Sequence, residues 1–203
     1  MNHEVCGTSE ITGARFTIHP MADDFVSIIL GAIEETDTSK VWRETDDVST
    51  CVRGRSVHVF DTVKAIFLHA SKTGKHVVLN ATFSNGCPGD TQGNVYLSEN
   101  DERMNEVSLA GISQDVSVHF ALYPLGSTTY MDTIMDQVND AIEKGVKTQG
   151  VLYATRLDGN AHDIFTTLER AFNNCLEGDS SHVVMTVTMS ANSPSKKGEN
   201  NAR

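Results

Sequence analysis

The sequence predicts an α+β fold of two tandem ferredoxin-like repeats, each with the element order β-α-β-β-α-β and an antiparallel sheet. Three pairs of matching strings indicate the duplication: "ARFTIHPMADDF" with "VHFALYPLGSTTY", "SVHVFDTVKAIF" with "NAHDIFTTLERAF", and "HVVLNATFSNGCP" with "HVVMTVTMSANSP". Phe16 and Phe120 are 104 residues apart, and Pro88 and Pro194 are 106 apart. This nearly constant offset indicates a duplication with small insertions, in copies too long to be solenoid repeats.

In the first copy, alternating apolar residues predict strands and apolar residues at helical spacing predict helices. Asp23 and Asp24 suit the positive N-terminal end of the first helix. The predicted elements are a strand over 14–19, a helix over 23–36, strands over 41–44 and 48–53, a helix over 57–71 and a strand over 76–84.

The second copy repeats this order. Its predicted elements are a strand over 118–123, a helix over 129–144, strands over 146–149 and 151–157, a helix over 161–176 and a strand over 182–190. We therefore expect a first repeat over 1–90, a linker over 91–116 and a second repeat over 117–194. Residues 195–203, "SKKGENNAR", have the composition of a disordered tail.

Composition excludes several classes of function. A formal net charge of −11 works against binding to nucleic acid, because no basic surplus is present to replace condensed counterions. No apolar stretch is long enough to span a membrane and the first ten residues are polar, so we expect a cytoplasmic protein without membrane insertion. The four cysteines form no C-x-x-C pair, which predicts reduced thiols and neither a zinc site nor disulfides.

Both predicted helices of each repeat cover one side of its sheet, and we name the opposite side the open face. In the last strand of the first repeat, Val77 and Phe83 belong to the helix side, which places Asn80 on the open face. The same alternation assigns these residues to the first open face: Arg15, Thr17, His19, Ser49, Cys51, Arg53, Asn80, Thr82 and Ser84. It assigns these to the second: His119, Tyr123, Tyr153, Thr155, Thr186, Thr188 and Ser190.

Short hydroxyls, an amide and tyrosines are suited to a surface that something covers, because their hydrogen bonds need partners. Two interpretations stay open and are compatible. The two faces could pack on each other or on a dimer mate, or they could enclose a ligand. Arg15 and Arg53 are matched in the second copy by His119 and Leu157, which predicts that the first site is more basic.

Other candidate sites are weaker. The pairs His58 with Asp61 and His162 with Asp163 begin the second helices, where capping or solvation competes with metal binding. Cys87 has no base near it in sequence. No nucleotide-binding or hydrolase motif occurs, so the sequence predicts no catalytic residue, no metal and no cofactor.

Eight strings together resemble, in order and spacing, the YkoF family of thiamine/hydroxymethylpyrimidine-binding proteins: "CGTS", "TSKVW", "HVFD", "GCPGDTQG", "FALYP", "QGV", "LDGNAHD" and "SANSPS". The resemblance implies a cytoplasmic homodimer with one ligand pocket per repeat and a role beside uptake of the pyrimidine precursor, with a possible link to a transporter. It also leads us to interpret "NGCPGD" and "ANSP" as the rims of two related pockets.

The residues alone predict a duplicated ferredoxin-like protein that binds a small polar molecule, and the resemblance implies that this molecule is thiamine or hydroxymethylpyrimidine, bound without catalysis. The differences between the copies predict two inequivalent sites. The predicted ligand-binding residues are Arg15, Thr17, His19, Ser49, Arg53, Asn80, Thr82, Ser84, Tyr123, Tyr153, Thr155, Thr186, Thr188 and Ser190. Hydroxyls and the amide would bond the pyrimidine, while Tyr123 and Tyr153 would stack on a ring. The alternatives are a small pyrimidine-modifying enzyme that uses Cys51, Cys87 or a histidine of the face, and a ligand-sensing regulator.

Overall fold

The computed structural model describes residues 9–87, 90, 92–128 and 130–195. Cys6, Pro88 and Gly89 lie outside the described residues, as do residues 196–203 of the predicted tail. In chain order the elements are β1 (Thr12–Pro20), α1 (Phe25–Glu34), β2 (Trp42–Thr45), β3 (Thr50–Gly54), α2 (Ser56–Ser71), β4 (Val77–Asn85), α3 (Glu106–Leu109), β5 (Asp115–Leu125), α4 (Tyr130–Glu143), β6 (Lys147–Val151), β7 (Ala154–Asn160), α5 (Ala161–Leu176) and β8 (His182–Ala191).

All eight strands form one antiparallel sheet in the order β2-β3-β1-β4-β8-β5-β7-β6. Each half of this order is the strand order of a ferredoxin-like repeat, which confirms the predicted fold class. The halves join at the β4–β8 pair, which we name the seam. Because the repeats lie edge to edge, their open faces are side by side, and the expectation that the two faces might pack on each other within the chain is wrong.

The core lies between this sheet and the helices. Strand alternation places Leu79 and Phe83 of β4 beneath them, together with Met185 of β8, and all three are fully buried. The ring of Phe83 stacks on that of Phe60 from α2, with centroids 4.1 Å apart, and the ring of Phe172 from α5 lies 5.7 Å from Phe60. Aromatic contacts therefore join the two repeats on the helix side, as the seam joins them within the sheet.

The linker between the repeats contains a short helix, α3, that the sequence did not predict. It is fixed to α2 through the buried carboxylate of Asp61, whose Oδ2 accepts from the backbone N–H groups of Met104 and Asn105 and from the Asn105 side chain. Arg103 makes a bidentate bond to Glu169 of α5, at 2.8 and 2.9 Å. The linker is thus bound to both repeats.

Among the described residues, no helix combines the length and the apolar character that crossing a bilayer requires.

Candidate functional site

Twenty side-chain positions on the six central strands of the joined sheet form the middle of its open face, and most of them are polar. They are Gly13, Arg15, Thr17 and His19 of β1, Cys51 and Arg53 of β3, Val78, Asn80, Thr82 and Ser84 of β4, Ser117, His119, Ala121 and Tyr123 of β5, Arg156 and Asp158 of β7, and Val184, Thr186, Thr188 and Ser190 of β8. Directly opposite residues in neighbouring strands project to the same side, so the strand register defines this set.

The seam brings the predicted residues of both repeats together. Asn80 lies opposite Thr17 on one side and Thr188 on the other, while Thr82 lies between Arg15 and Thr186. The Thr188 hydroxyl donates to Asn80 Oδ1 at 2.9 Å. The polar sets of the two repeats are therefore one continuous surface, and a change at Asn80 also removes a partner of the second repeat.

Two predicted residues do not lie on this face. Tyr153 is in the two-residue turn between β6 and β7, with φ of +68°, and is 97% exposed. Thr155 lies opposite the core residue Phe120 and so projects toward the helices. Tyr153 was wrongly assigned because the predicted strand began at Val151, three residues before β7 begins. Thr155 was wrongly assigned because Leu157 is buried in the core, and residues two apart in a strand project to the same side.

The register also corrects the matching of the two copies. Phe16 lies opposite Thr50, and its counterpart Phe120 lies opposite Thr155, so β3 and β7 correspond at an offset of 105 residues. The counterpart of Arg53 is therefore Asp158, not Leu157, and the counterpart of Cys51 is Arg156. The first half of the open face therefore carries a cation, Arg53, where the second half carries an anion, Asp158. The sequence analysis did not predict this inversion of charge.

In the second repeat, the two charged residues that the prediction missed bind each other. The Arg156 guanidinium donates to both oxygens of Asp158, at 2.8 and 2.9 Å, and the Ser117 hydroxyl donates to Asp158 Oδ1 at 2.6 Å. Hydrogen bonds from Arg156 hold the pKa of the Asp158 carboxyl below its usual value. Arg156 was missed because the early start of the predicted strand assigned it to the helix side.

In the first repeat, the arginines of the open face are also engaged. Arg15 donates to Asp46 and to the Ser49 hydroxyl, at 3.1 and 2.8 Å, in the turn between β2 and β3. Backbone N–H groups of Ser49 and Val48, and then Arg15, lower the pKa of Asp46. Ser49 thus lies beside β3 rather than in it, with its hydroxyl reached from the open face.

Arg53 binds the start of the linker. Its guanidinium donates to the backbone carbonyls of Asp90, Gln92 and Asn94. The Asp90 carboxylate in turn accepts from the N–H groups of Gly86 and Cys87, at 2.7 and 2.8 Å. The Asp90 carboxylate is therefore held at the end of β4, and the Arg53 guanidinium is occupied by backbone carbonyls.

The two predicted rims cross over to the opposite repeat. Gly86 follows β4 with φ of +91°, and a Cβ there would lie 2.4 Å from the Ser181 carbonyl oxygen of the second repeat. Asn192 follows β8 with φ of +55°, and its amide donates to the Ser71 and Lys75 carbonyls of the first repeat. Each turn is thus fixed against the other repeat, because β4 and β8 are antiparallel neighbours.

A cavity of about 190 Å³ lies on the helix side of the first repeat, and we name it the α1 cavity. Its apolar wall is formed by Phe16, Ile18, Ile29, Ile33 and Ile66, and its polar wall by residues 45–50 of the β2–β3 turn. The sequence analysis did not single out Ile29 and Ile33, because apolar residues at helical spacing indicate core equally well. An apolar cavity with a polar rim suits a small ring compound.

The histidine–aspartate pairs have structural partners. His58 Nε2 contacts the Asn100 carbonyl at 2.8 Å, and His162 Nε2 contacts the Ile112 carbonyl at 3.0 Å. The Asn160 side chain caps α5 by accepting from the His162 N–H. Within the described ranges, no group of three or more histidine, cysteine or acidic residues is arranged to hold a metal ion.

The described cysteines are free thiols. Burial raises the pKa of Cys51, and it raises the pKa of Cys175 to about 11. Since the thiolate is the nucleophile, neither of these thiols is activated for catalysis at neutral pH. Cys87 is exposed.

The Arg156–Asp158 pair predicts a pH-dependent stability. The folded state holds the pKa of Asp158 below the ordinary carboxyl pKa of 3.8. The ionised carboxylate therefore contributes its full share of the free energy of unfolding at pH values above 3.8, and this share is lost as the pH falls through the lower pKa of the folded state. Asp158→Asn should lower the free energy of unfolding by about 1 kcal/mol at pH 7. Urea titrations from pH 7 to pH 3 should show this difference shrinking below pH 4. Asp136→Asn, on an exposed residue of α4, is the control, and a difference that is constant to pH 3 would contradict the assignment.

Comparisons with known proteins agree with the internal repeat. The profile of the YKOF-related family matches residues 11–90 and 115–196, once for each repeat. The chain is 52% identical over 197 residues to the Bacillus subtilis (strain 168) protein named "Putative HMP/thiamine-binding protein YkoF", covering 97% of this chain and 98% of that one. A solved structure of a domain of unknown function, DUF77, from Bacillus cereus is 18% identical, with a TM-score of 0.37, over 44% of this chain and 88% of that one. The chain belongs to the YKOF-related family.

Proposed function

We propose that this protein binds thiamine or its hydroxymethylpyrimidine moiety without altering it, at one site in each repeat, in support of uptake or salvage of the pyrimidine precursor. The observation that carries the proposal is the 52% identity, across nearly the whole chain, to a relative that is named for binding these compounds. The family profile matches both repeats, which supports a site in each.

The chemistry of the seam supports a pyrimidine ligand. An aminopyrimidine has ring nitrogens that accept and an exocyclic amine that donates. Asn80 offers both a donor and an acceptor, since Nδ2 bonds no acceptor among the described residues and Oδ1 keeps a second lone pair beside its bond to Thr188. Thr82 and Thr186 add exposed hydroxyls on the same face.

Charge supports the binding of the cationic thiazolium of thiamine. The formal net charge of −11 attracts cations, and Tyr123 on the open face of β5 is 47% exposed, which leaves its ring able to contact a cation. The raised pKa values of Cys51 and Cys175 favour binding over catalysis, because neither thiol is an activated nucleophile. The free thiols are consistent with a cytoplasmic location, which is part of the proposal.

A homodimer is also part of the proposal. The open face extends over eight strands, and its central residues Asn80, Thr82, Thr186 and Thr188 are exposed in the single chain. Exposed Tyr123 and Leu125 lie at the end of β5, and β2 and β6 are the edge strands of the sheet that the described residues form. A second copy would cover the polar face and enclose a ligand lying on it.

Sedimentation tests the dimer. At micromolar concentration the protein should sediment as a species of twice the 22.1 kDa chain mass. A monomer at that concentration would contradict the proposal that a second copy covers the open face.

Calorimetric titration with thiamine, hydroxymethylpyrimidine and thiamine diphosphate tests the function. We expect two sites per chain with unequal affinities, because the halves of the face differ at Arg53 and Asp158. Asn80→Ala should weaken one site by roughly 5- to 150-fold, corresponding to about 1 to 3 kcal/mol for an unpaired buried group. The matched variant is Thr186→Ala, at the equivalent position of β8, which should act mainly on the other site.

The outcomes are distinct. Absence of binding by all three compounds would overturn the function. If Asn80→Ala lowers the melting temperature and spares both affinities, the polar face is a structural interface. If Ile33→Phe, which fills the α1 cavity, abolishes one site while Asn80→Ala is silent, the ligand binds on the helix side instead.

A further inference from the structure

The outward side of α1 is apolar. Ile28 and Ala32 of this helix belong to the core, whereas its outward side carries only Ser27 and Glu34 as polar residues. A surface helix normally has a polar outward side. We name the exposed apolar set the α1 face: Phe25, Val26 and Leu30, which are 49%, 52% and 60% exposed. A contiguous apolar surface of this kind marks a place where another molecule binds.

The α1 face continues into the α1 cavity. Side chains three and four residues apart lie next to each other on a helix, so Ile29 and Ile33 adjoin the α1 face. Both isoleucines line the cavity. On its other wall, Val48 of the β2–β3 turn is 75% exposed. The α1 face and the α1 cavity therefore form one apolar groove between α1 and the β2–β3 turn, and we name it the α1 groove.

Carboxylates lie at both ends of the α1 groove and on its wall, and we name them the acidic rim. Asp23 and Asp24 precede α1, Glu34 ends it, and Asp47 lines the cavity. Asp24 occupies the N-cap position, but its side chain makes no capping bond. Within the described ranges, no residue of the acidic rim forms an ion pair. The acidic rim is thus available to the cations of an occupant.

Charge distinguishes the possible occupants of the α1 groove. A second copy that docked through the same surface would bring two acidic rims together, and like charges across an interface are unfavourable. An anionic bilayer would be repelled by the acidic rim and by the formal net charge of −11. A polypeptide that carries lysine or arginine beside its apolar residues would be attracted instead.

The dimensions of the α1 groove suit a helix. With ten residues, α1 is about 15 Å long. The apolar side chains at positions i, i+4 and i+7 of an amphipathic helix extend over about 10 Å, so they fit within this length. The α1 cavity, of about 190 Å³, has room for one large apolar side chain as an anchor.

We propose that the α1 groove binds a cationic amphipathic helix of another protein. The apolar side of that helix packs on the α1 face and places one anchor side chain in the α1 cavity, while its lysines or arginines lie beside the acidic rim. The proposal goes beyond ligand binding on the open face, because α1 lies on the opposite side of the sheet.

The equivalent helix of the second repeat, α4, provides an internal control. Its outward side also exposes apolar residues, among them Met135, which is 49% exposed. However, exposed Asp132, Asp136 and Glu143 alternate with these apolar residues. The carboxylates of α4 thus interrupt the apolar surface instead of bordering it, so we expect α4 not to bind the same helix.

A model peptide of about 18 residues, composed of leucine and lysine with all leucines on one helical side, tests the proposal with the full chain. Calorimetry should detect binding, and amide NMR should show shifts in α1 and in residues 45–50 but not in α4. Leu30→Gln should weaken binding by about tenfold or more without lowering the melting temperature, because this side chain is 60% exposed. Met135→Gln, the matched variant on α4, should leave the affinity unchanged.

A second pair of variants separates the acidic rim from the overall charge of the chain. Asp24→Asn combined with Glu34→Gln should weaken binding of the peptide and reduce its dependence on salt. Asp136→Asn combined with Glu143→Gln removes the same charge from exposed positions of α4 and should change neither property. A peptide of the same composition with its leucines distributed around the helix should not bind.

Four results would overturn the proposal. If the rearranged peptide binds equally well, or if the α4 variants weaken binding as much as the α1 variants, the attraction is general and not a site. If Leu30→Gln converts a dimer into a monomer in sedimentation, a second copy occupies the α1 groove. If Leu30→Gln abolishes binding to phosphatidylserine vesicles, the occupant is a membrane. If thiamine displaces the peptide, the α1 groove is the site of the small molecule, a result that is distinct from a failure of thiamine to bind at all.

Discussion

The pairing of β4 with β8 is the interaction on which the rest of the structure depends. Nine residue pairs, from Val77–Ala191 to Asn85–Val183, convert two potential sheet edges into the centre of an eight-stranded sheet. Because the strands are antiparallel, each repeat ends beside the beginning of the other, and the turns at Gly86 and Asn192 bind the opposite repeat. The same pairing aligns Asn80 with Thr188, so the polar side chains of both copies form one surface.

The joined sheet makes the two copies similar in backbone and different in chemistry. Arg53 and Asp158 occupy equivalent positions, yet Arg53 binds linker carbonyls and Asp158 binds Arg156. The β2–β3 turn reaches Arg15 through Asp46 and Ser49, whereas the shorter β6–β7 turn exposes Tyr153. Duplication therefore preserved the fold, because the core positions of the strands are apolar in both copies, while the open face and the loops diverged.

The sequence predicts the repeat, the element order and most of the open face, since strand alternation separates Leu79 and Phe83 from Asn80 and Thr82. It does not predict the edge-to-edge arrangement, because alternation identifies the buried side of a strand but not the strand that pairs with it. It fails at β7, where a tight turn at Tyr153 shifts the start of the strand and reverses the assignment of Thr155 and Arg156. The α1 cavity escapes prediction because its isoleucines have the spacing of an ordinary core.

Hydrogen exchange of the backbone amides in β4 and β8 tests the central claim, that the seam unites the repeats, most directly. If the two strands pair along their length, amides such as those of Leu79, Ala81, Met185 and Val187 should exchange only through global unfolding, with protection equal to the unfolding free energy from urea titration. Rapid exchange of either strand, as at a free sheet edge, would contradict the account.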